Sequence, residues 1–87
     1  MKGILYRNAA GIVRSLKKAG HEAYLVGGCV RDLLMKREPK DYDVATSARP
    51  EQVARLFPRT IPVGAQFGVQ IVMIGKSSYE VATFRID

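Results

Sequence analysis

Two stretches decide how this chain is read: Leu25-Val26-Gly27-Gly28-Cys29-Val30-Arg31-Asp32 and Asp41-Tyr42-Asp43-Val44-Ala45-Thr46. In the first, the apolar run Ala23 to Val26 ends in paired glycines, the pattern of a buried strand closing in a tight turn. Val30 to Met35 then reads as a short helix with Val30, Leu33 and Leu34 facing inward, and Pro39 stops it. Glycine lets backbone N–H groups approach a ligand because no Cβ intervenes. The start of a helix adds partial positive charge, and Arg31 presents a planar fork that suits phosphate oxygens. Taken alone, the same glycines also serve simply to turn the chain.

The second stretch reads as a strand from Asp41 to Thr46. Alternate side chains of a strand share a face, so Asp41 and Asp43 project together, their Cα atoms ~6–7 Å apart, while Tyr42 and Val44 point into the core. Two carboxylates so placed can hold a pair of divalent cations ~3.5–4 Å apart, the arrangement that serves in-line phosphoryl displacement. Hard oxygen ligands suit Mg²⁺, which keeps several waters and takes substrate phosphates as well. Two aspartates in a solvated turn are the simpler reading. Against it, Val44 and Ala45 continue the strand, and like charges side by side repel unless a cation compensates. The glycine turn precedes the pair by 13 residues, and the combination is more specific than either part.

Two other phosphate motifs are excluded. Gly27-Gly28 is followed by no third glycine where the dinucleotide fingerprint needs one, and Gly75-Lys76-Ser77 lacks the P-loop's first glycine, Gln70 standing there. Gly75 to Ser78 therefore reads as a hairpin turn.

Outward from these stretches, Leu5, Ala9, Ile12, Val13 and Leu16 recur at helical spacing over Ile4 to Ala19, with Arg7, Arg14, Lys17 and Lys18 on the other face and Gly20 as the stop. His21 follows as a turn or surface residue. Pro50 to Phe57 reads as a third helix with Val53, Leu56 and Phe57 inward, closed by Pro58. Ile61 to Val63, Val69 to Ile74 and Tyr79 to Phe84 read as strands. The order α-β-α-β-α-β-β-β, helices followed by an antiparallel section, predicts an α+β fold. The aromatic residues, among them Tyr24, Phe67 and Tyr79, are assigned to the core rather than to base stacking.

Composition narrows the function. The chain has 87 residues, 47% hydrophobic and 25% charged, which is ordinary globular usage for one small domain or a piece of a larger protein. One cysteine, Cys29, and one histidine exclude a disulfide framework and a multi-cysteine zinc site, and fit a reducing cytoplasm. Cys29 itself reads as a small helix-start residue, with no activating histidine near it in sequence. No apolar run approaches the ~20 residues of a membrane span, and Met1 to Leu5 opens no signal-peptide core, so no membrane partner is expected. A net charge of +6 points to a polyanion.

Together, the glycine turn and the Asp41-Tyr42-Asp43 strand resemble the head-domain signature of the class II tRNA nucleotidyltransferase (CCA-adding) and bacterial poly(A) polymerase family. Pro62-Val63-Gly64-Ala65-Gln66-Phe67-Gly68 and Glu80-Val81-Ala82-Thr83-Phe84-Arg85 are similar to it too, so the resemblance covers essentially the whole chain. It implies a polymerase-β-like nucleotidyltransferase palm in which Gly27 and Gly28 hold the nucleoside triphosphate and Arg31 contacts it. Asp41 and Asp43 would bind catalytic Mg²⁺, and Glu80 would be the third acidic residue. The implied reaction is attack of the tRNA 3′-hydroxyl on the α-phosphate of CTP or ATP, with release of pyrophosphate. The partners implied are the tRNA 3′ end, CTP and ATP.

Two departures stand out. The family has a glycine just before Arg37, where this chain has Lys36, and only the turn before Pro39 is expected to change. The sequence also lacks the Arg-Arg-Asp-Phe-type segment and the neck motif that selects the base. The expectation is therefore a head-domain fragment over residues 1–87, without neck, body and tail, that adds few nucleotides alone. Two alternatives remain open: a poly(A) polymerase or a CC-only or A-only adding relative, and a non-catalytic basic RNA-binding module using the Arg7, Arg14, Lys17 and Lys18 face. Asp41 and Asp43 argue against the last, since uncompensated carboxylates repel a phosphate backbone.

Overall fold

Ala9, Ile12 and Leu16 fall on one stripe of helix, and in the computed structural model, which describes residues 3–37 and 39–84, they are the buried residues of α1 (Ile4–Lys18). Met1 and Lys2 of the opening segment and Arg85 of the last motif lie outside the described residues. After α1 come β1 (Ala23–Val26), α2 (Gly28–Leu34), β2 (Asp43–Thr46), α3 (Pro50–Leu56) and β3 (Thr60–Gly64). A 3₁₀ turn (Ala65–Phe67), β4 (Val69–Ile74) and β5 (Ser77–Thr83) complete the order. The five strands form one sheet, ordered β1-β2-β5-β4-β3. β2 and β5 pair in parallel and the other pairs are antiparallel. The fold is α+β with a mixed sheet, in the order read from the sequence.

The period-2 pattern gives this sheet two unlike faces. Val44, Val72 and Val81 are fully buried on the face that α1 and α3 cover, along with Tyr42 and Tyr79. Each such valine contributes about 1.5–3 kcal/mol relative to an exposed one. The hydroxyl of Thr46, buried on the same face, donates to the Glu22 carbonyl at 2.6 Å and accepts from the Ala48 N–H at 3.1 Å, so burying it leaves no unmet bond. The opposite face carries Tyr24, Val26, Asp43 and Glu80 and is open to solvent or half-open. No helix among the described residues is long and apolar enough to cross a membrane.

Several boundaries and faces differ from expectation. α2 starts two residues early, at Gly28, and turns Cys29 inward and Leu33 against the core, leaving Val30 and Leu34 exposed, Leu34 at 80%. It packs at the edge of the sheet against β1 and so has little core to cover. Leu56 ends α3 exposed, and Phe57 beyond it packs on the core instead. β2 is ladder-paired only from Asp43, so Asp41 stands in the segment leading into it. Ser77 and Ser78 belong to β5, which shortens the hairpin turn to Gly75 and Lys76. Tyr24 and Phe67 are exposed, not core, while Tyr79 is 1% exposed.

Candidate functional site

β1 carries the chain to its end at Val26, which pairs with Asp43 of β2. There the backbone turns at Gly27, in a left-handed conformation (φ +81°) that an L side chain rarely adopts. A Cβ on Gly27 would meet Asp43 Oδ2 at 3.1 Å, closer than ordinary contact. The glycine is thus needed twice, for its φ and for the carboxylate lying against it. Cys29 holds the corner from inside, its thiol donating to the Val26 carbonyl at 3.0 Å.

The carboxylates come to the same place. Tyr42 and Val44 are buried while Asp41 is exposed and Asp43 half-buried, so the side chains alternate although the ladder begins only at Asp43. Asp41, Asp43 and Gly28 line one cavity of about 420 Å³. Arg31, exposed, brings its Nη2 to 3.8 Å from where a Cβ of Gly28 would stand. Glu80 is the in-register neighbour of Asp43 across the parallel β2–β5 ladder. In-register neighbours share a face, which places Glu80 beside Asp43 on the open face, although it does not reach the cavity.

Sequence reasoning passed over Asp32, Arg37 and Lys40, which line this cavity with the aspartates. The signal was present. Arg37 and Lys40 bracket Pro39 just before Asp41, and the buried Pro39 anchors that segment so that both cations flank the carboxylates. One row away on the open face, the Tyr24 hydroxyl donates to Glu22 Oε1 at 2.8 Å, and that carboxylate holds the phenol above its usual range.

The residues suit a hard divalent cation. Among the described residues no group of three or more His, Cys, Asp or Glu side chains is placed to hold a metal ion. Mg²⁺ does not need one, since it binds through one or two carboxylates, water and substrate phosphates. The bare Gly27 corner leaves room beside Asp43 that a side chain would fill. The basic face of α1 lies elsewhere: Arg7, Arg14 and Lys18, joined by Arg59, line a separate groove of about 600 Å³.

Comparison with known proteins identifies the family of the chain. A sequence-family model described as the Poly A polymerase head domain matches residues 23–87. A CCA-adding enzyme of Geobacillus kaustophilus is 55% identical over 82 residues, covering 94% of this chain and 20% of that relative. Poly(A) polymerase I of Haemophilus influenzae is 52% identical over 82 residues, covering 93% of this chain and 18% of that relative. The crystal structure of the Bacillus stearothermophilus CCA-adding enzyme in complex with CTP superposes with a TM-score of 0.86 at 48% identity, over 94% of this chain and 21% of that one. The chain thus spans about a fifth of the length of the curated relatives it matches.

Proposed function

This chain belongs to the poly(A) polymerase head-domain family, and from that premise we propose that it is the nucleotide-handling head of an enzyme adding CMP and AMP to the 3′ end of tRNA. In the reaction the RNA 3′-hydroxyl oxygen bonds to the α-phosphorus of CTP or ATP, the bond to the β-phosphate oxygen breaks, and pyrophosphate leaves. The Gly27–Gly28 corner receives the triphosphate, and the Arg31 guanidinium forks onto its oxygens. Asp41 and Asp43 would hold Mg²⁺, which when bound neutralises phosphate charge and makes the attacking hydroxyl more acidic. Glu80, beside Asp43, adds a third carboxylate to the same face. The chain spans about a fifth of the length of its curated relatives, and what is assigned to its residues is the handling of the triphosphate, not the choice of base.

The observation that carries this reading is the meeting of two carboxylates and a glycine corner, distant in sequence, around one cavity. Its test is Asp43→Asn in the protein as its gene encodes it. We expect nucleotide addition to tRNA to fall about 10²–10⁴-fold, the loss of several kcal/mol of charge stabilisation. Calorimetry on the 87-residue chain should show Mg²⁺-dependent CTP binding that the variant loses. Unchanged CTP binding by Asp43→Asn in Mg²⁺ would instead favour a basic RNA-binding module.

A second reading has its own support in the 52% identity to a poly(A) polymerase. Supplying CTP and ATP separately, on tRNA ending at different positions, separates the two. Addition of C before A supports CCA synthesis, and a long A tract from ATP alone supports poly(A) synthesis.

A further inference from the structure

Asp41 stands between two cavities. On one side is the carboxylate cavity already described. On the other is a cleft of about 240 Å³ beneath the β4–β5 hairpin, lined by Lys40, Asp41, Lys76, Ser77 and Ser78, with Tyr42 and Tyr79 among its apolar walls. Among the described residues, Lys40 and Asp41 are the ones that line both. Lys76 of the hairpin turn and Ser77 at the start of β5 thus face a cleft although their stretch is no P-loop.

The two cavities carry opposite charge. The first has three carboxylates (Asp32, Asp41, Asp43) against two cations (Arg37, Lys40) and suits a cation accompanied by a triphosphate. The second has two lysines against the single carboxylate of Asp41, with Ser77 and Ser78 completing its polar lining. Neither Lys40 nor Lys76 forms an ion pair among the described residues, and both are exposed. A phosphodiester, with one negative charge and acceptor oxygens only, complements that lining.

Reaction geometry then selects the strand. In phosphoryl transfer the attacking and leaving oxygens lie roughly in line, on opposite sides of the phosphorus. If the triphosphate leaves toward the Gly28 side, the attacking strand enters from the side of Asp41 that faces the hairpin. Resting on the reading above, we propose that the Lys40–Lys76 cleft is a subsite for a backbone phosphodiester of the RNA strand whose 3′ end is extended. Lys76 grips it from the hairpin, and Lys40 does so from the segment leading into β2.

The test is Lys76→Gln in the protein as its gene encodes it, with tRNA ending in CC as the probe and ATP as the nucleotide. Lys76 is exposed in a two-residue turn, and Lys76→Arg retains the charge should the Gln variant fold poorly. We expect Lys76→Gln to weaken tRNA binding, measured without nucleotide, by about 3–10-fold, and to lower the slope of log K against log salt by ~0.7, as for one lost single-strand phosphate contact. The KM for tRNA should rise in parallel while the KM for ATP moves less than about twofold, and Lys76→Arg should restore both tRNA values. Unchanged tRNA affinity and salt slope would overturn the proposal. So would a shift confined to ATP or to pyrophosphate inhibition, which would place the leaving group in the cleft. Asp43→Asn runs beside these variants: if it retains full addition the reading of the site fails, whereas failure of the Lys76 arms alone removes only the subsite.

Discussion

At Gly27, conformation and contact make separate demands that a single methyl group would violate. Gly27→Ala must hold φ near +81° against a penalty of ~1–2 kcal/mol and push aside Asp43 Oδ2, 3.1 Å from the new Cβ. The expected outcome is a stability loss of about 1–3 kcal/mol in urea and a CTP affinity in Mg²⁺ reduced further than by Gly28→Ala. The latter adds a Cβ that among the described residues meets only Arg31 Nη2, at an ordinary 3.8 Å. Equal losses at the two glycines would mean that the corner does not act through Asp43. Gly27, Asp41 and Asp43 could be read in sequence because a strand-ending glycine pair and alternate acids occur together, 13 residues apart, and the combination is more specific than either part. Arg37 and Lys40 left a weaker signal, their places around Pro39 just before Asp41, and Lys76 left none, because a lysine lining a cleft and one pointing into bulk water look alike in a one-dimensional string. The exposed Phe67 and Tyr24 escaped for the reverse reason: aromatic residues are buried often enough that composition assigns them to the core.

Helix endings show the same limits one scale up. α1 and α2 finish in the same motif, with paired bonds from the two residues beyond the cap. His21 and Gly20 donate to the Leu16 and Lys17 carbonyls at 3.0 Å each, and Arg37 and Lys36 to those of Asp32 and Leu33 at 2.8 and 3.1 Å. The motif requires a left-handed residue, supplied by Gly20 (φ +96°) in α1 and by Lys36 (φ +59°) in α2. Lys36 therefore closes the same turn as Gly20 does and introduces strain at one residue. Lys36→Gly should stabilise the chain by about 0.5–1 kcal/mol, left-handed strain of ~1–2 kcal/mol offset in part by the freer unfolded chain. The urea midpoint reads it out, and a lower midpoint would show that Lys36 makes a contact outweighing its backbone. α1 was legible because its stripe and its glycine stop agree. The inward face of α2 was misread because a seven-residue helix at a sheet edge has too few turns for periodicity to fix its phase.

Over the whole molecule, the element order was legible in the sequence, but the strand order was not. β2 and β5 pair in parallel across an intervening helix and two strands, and no local pattern encodes the Asp43–Glu80 register. Charge distribution is likewise a property of the folded chain. The +6 net charge is not spread evenly: Arg7, Arg14, Lys18 and Arg59 border one groove with no carboxylate among its described lining residues, and none of that lining is shared with the two clefts at Asp41. Cations set apart from the chemistry act on a polyanion through the field they project. That field decays over ~10 Å at 0.1 M salt, so their effect belongs to encounter rather than to the bound state. Replacing Arg14 and Arg59 together by Gln should slow association with tRNA about 3–10-fold at low salt, in stopped-flow mixing, and leave the dissociation rate unchanged. The difference should vanish by ~0.5 M salt, where the screening length is only a few ångströms. A faster dissociation in the double variant would instead mean that the groove touches the RNA directly, and the Lys76 cleft would then be one of two sites gripping the same strand.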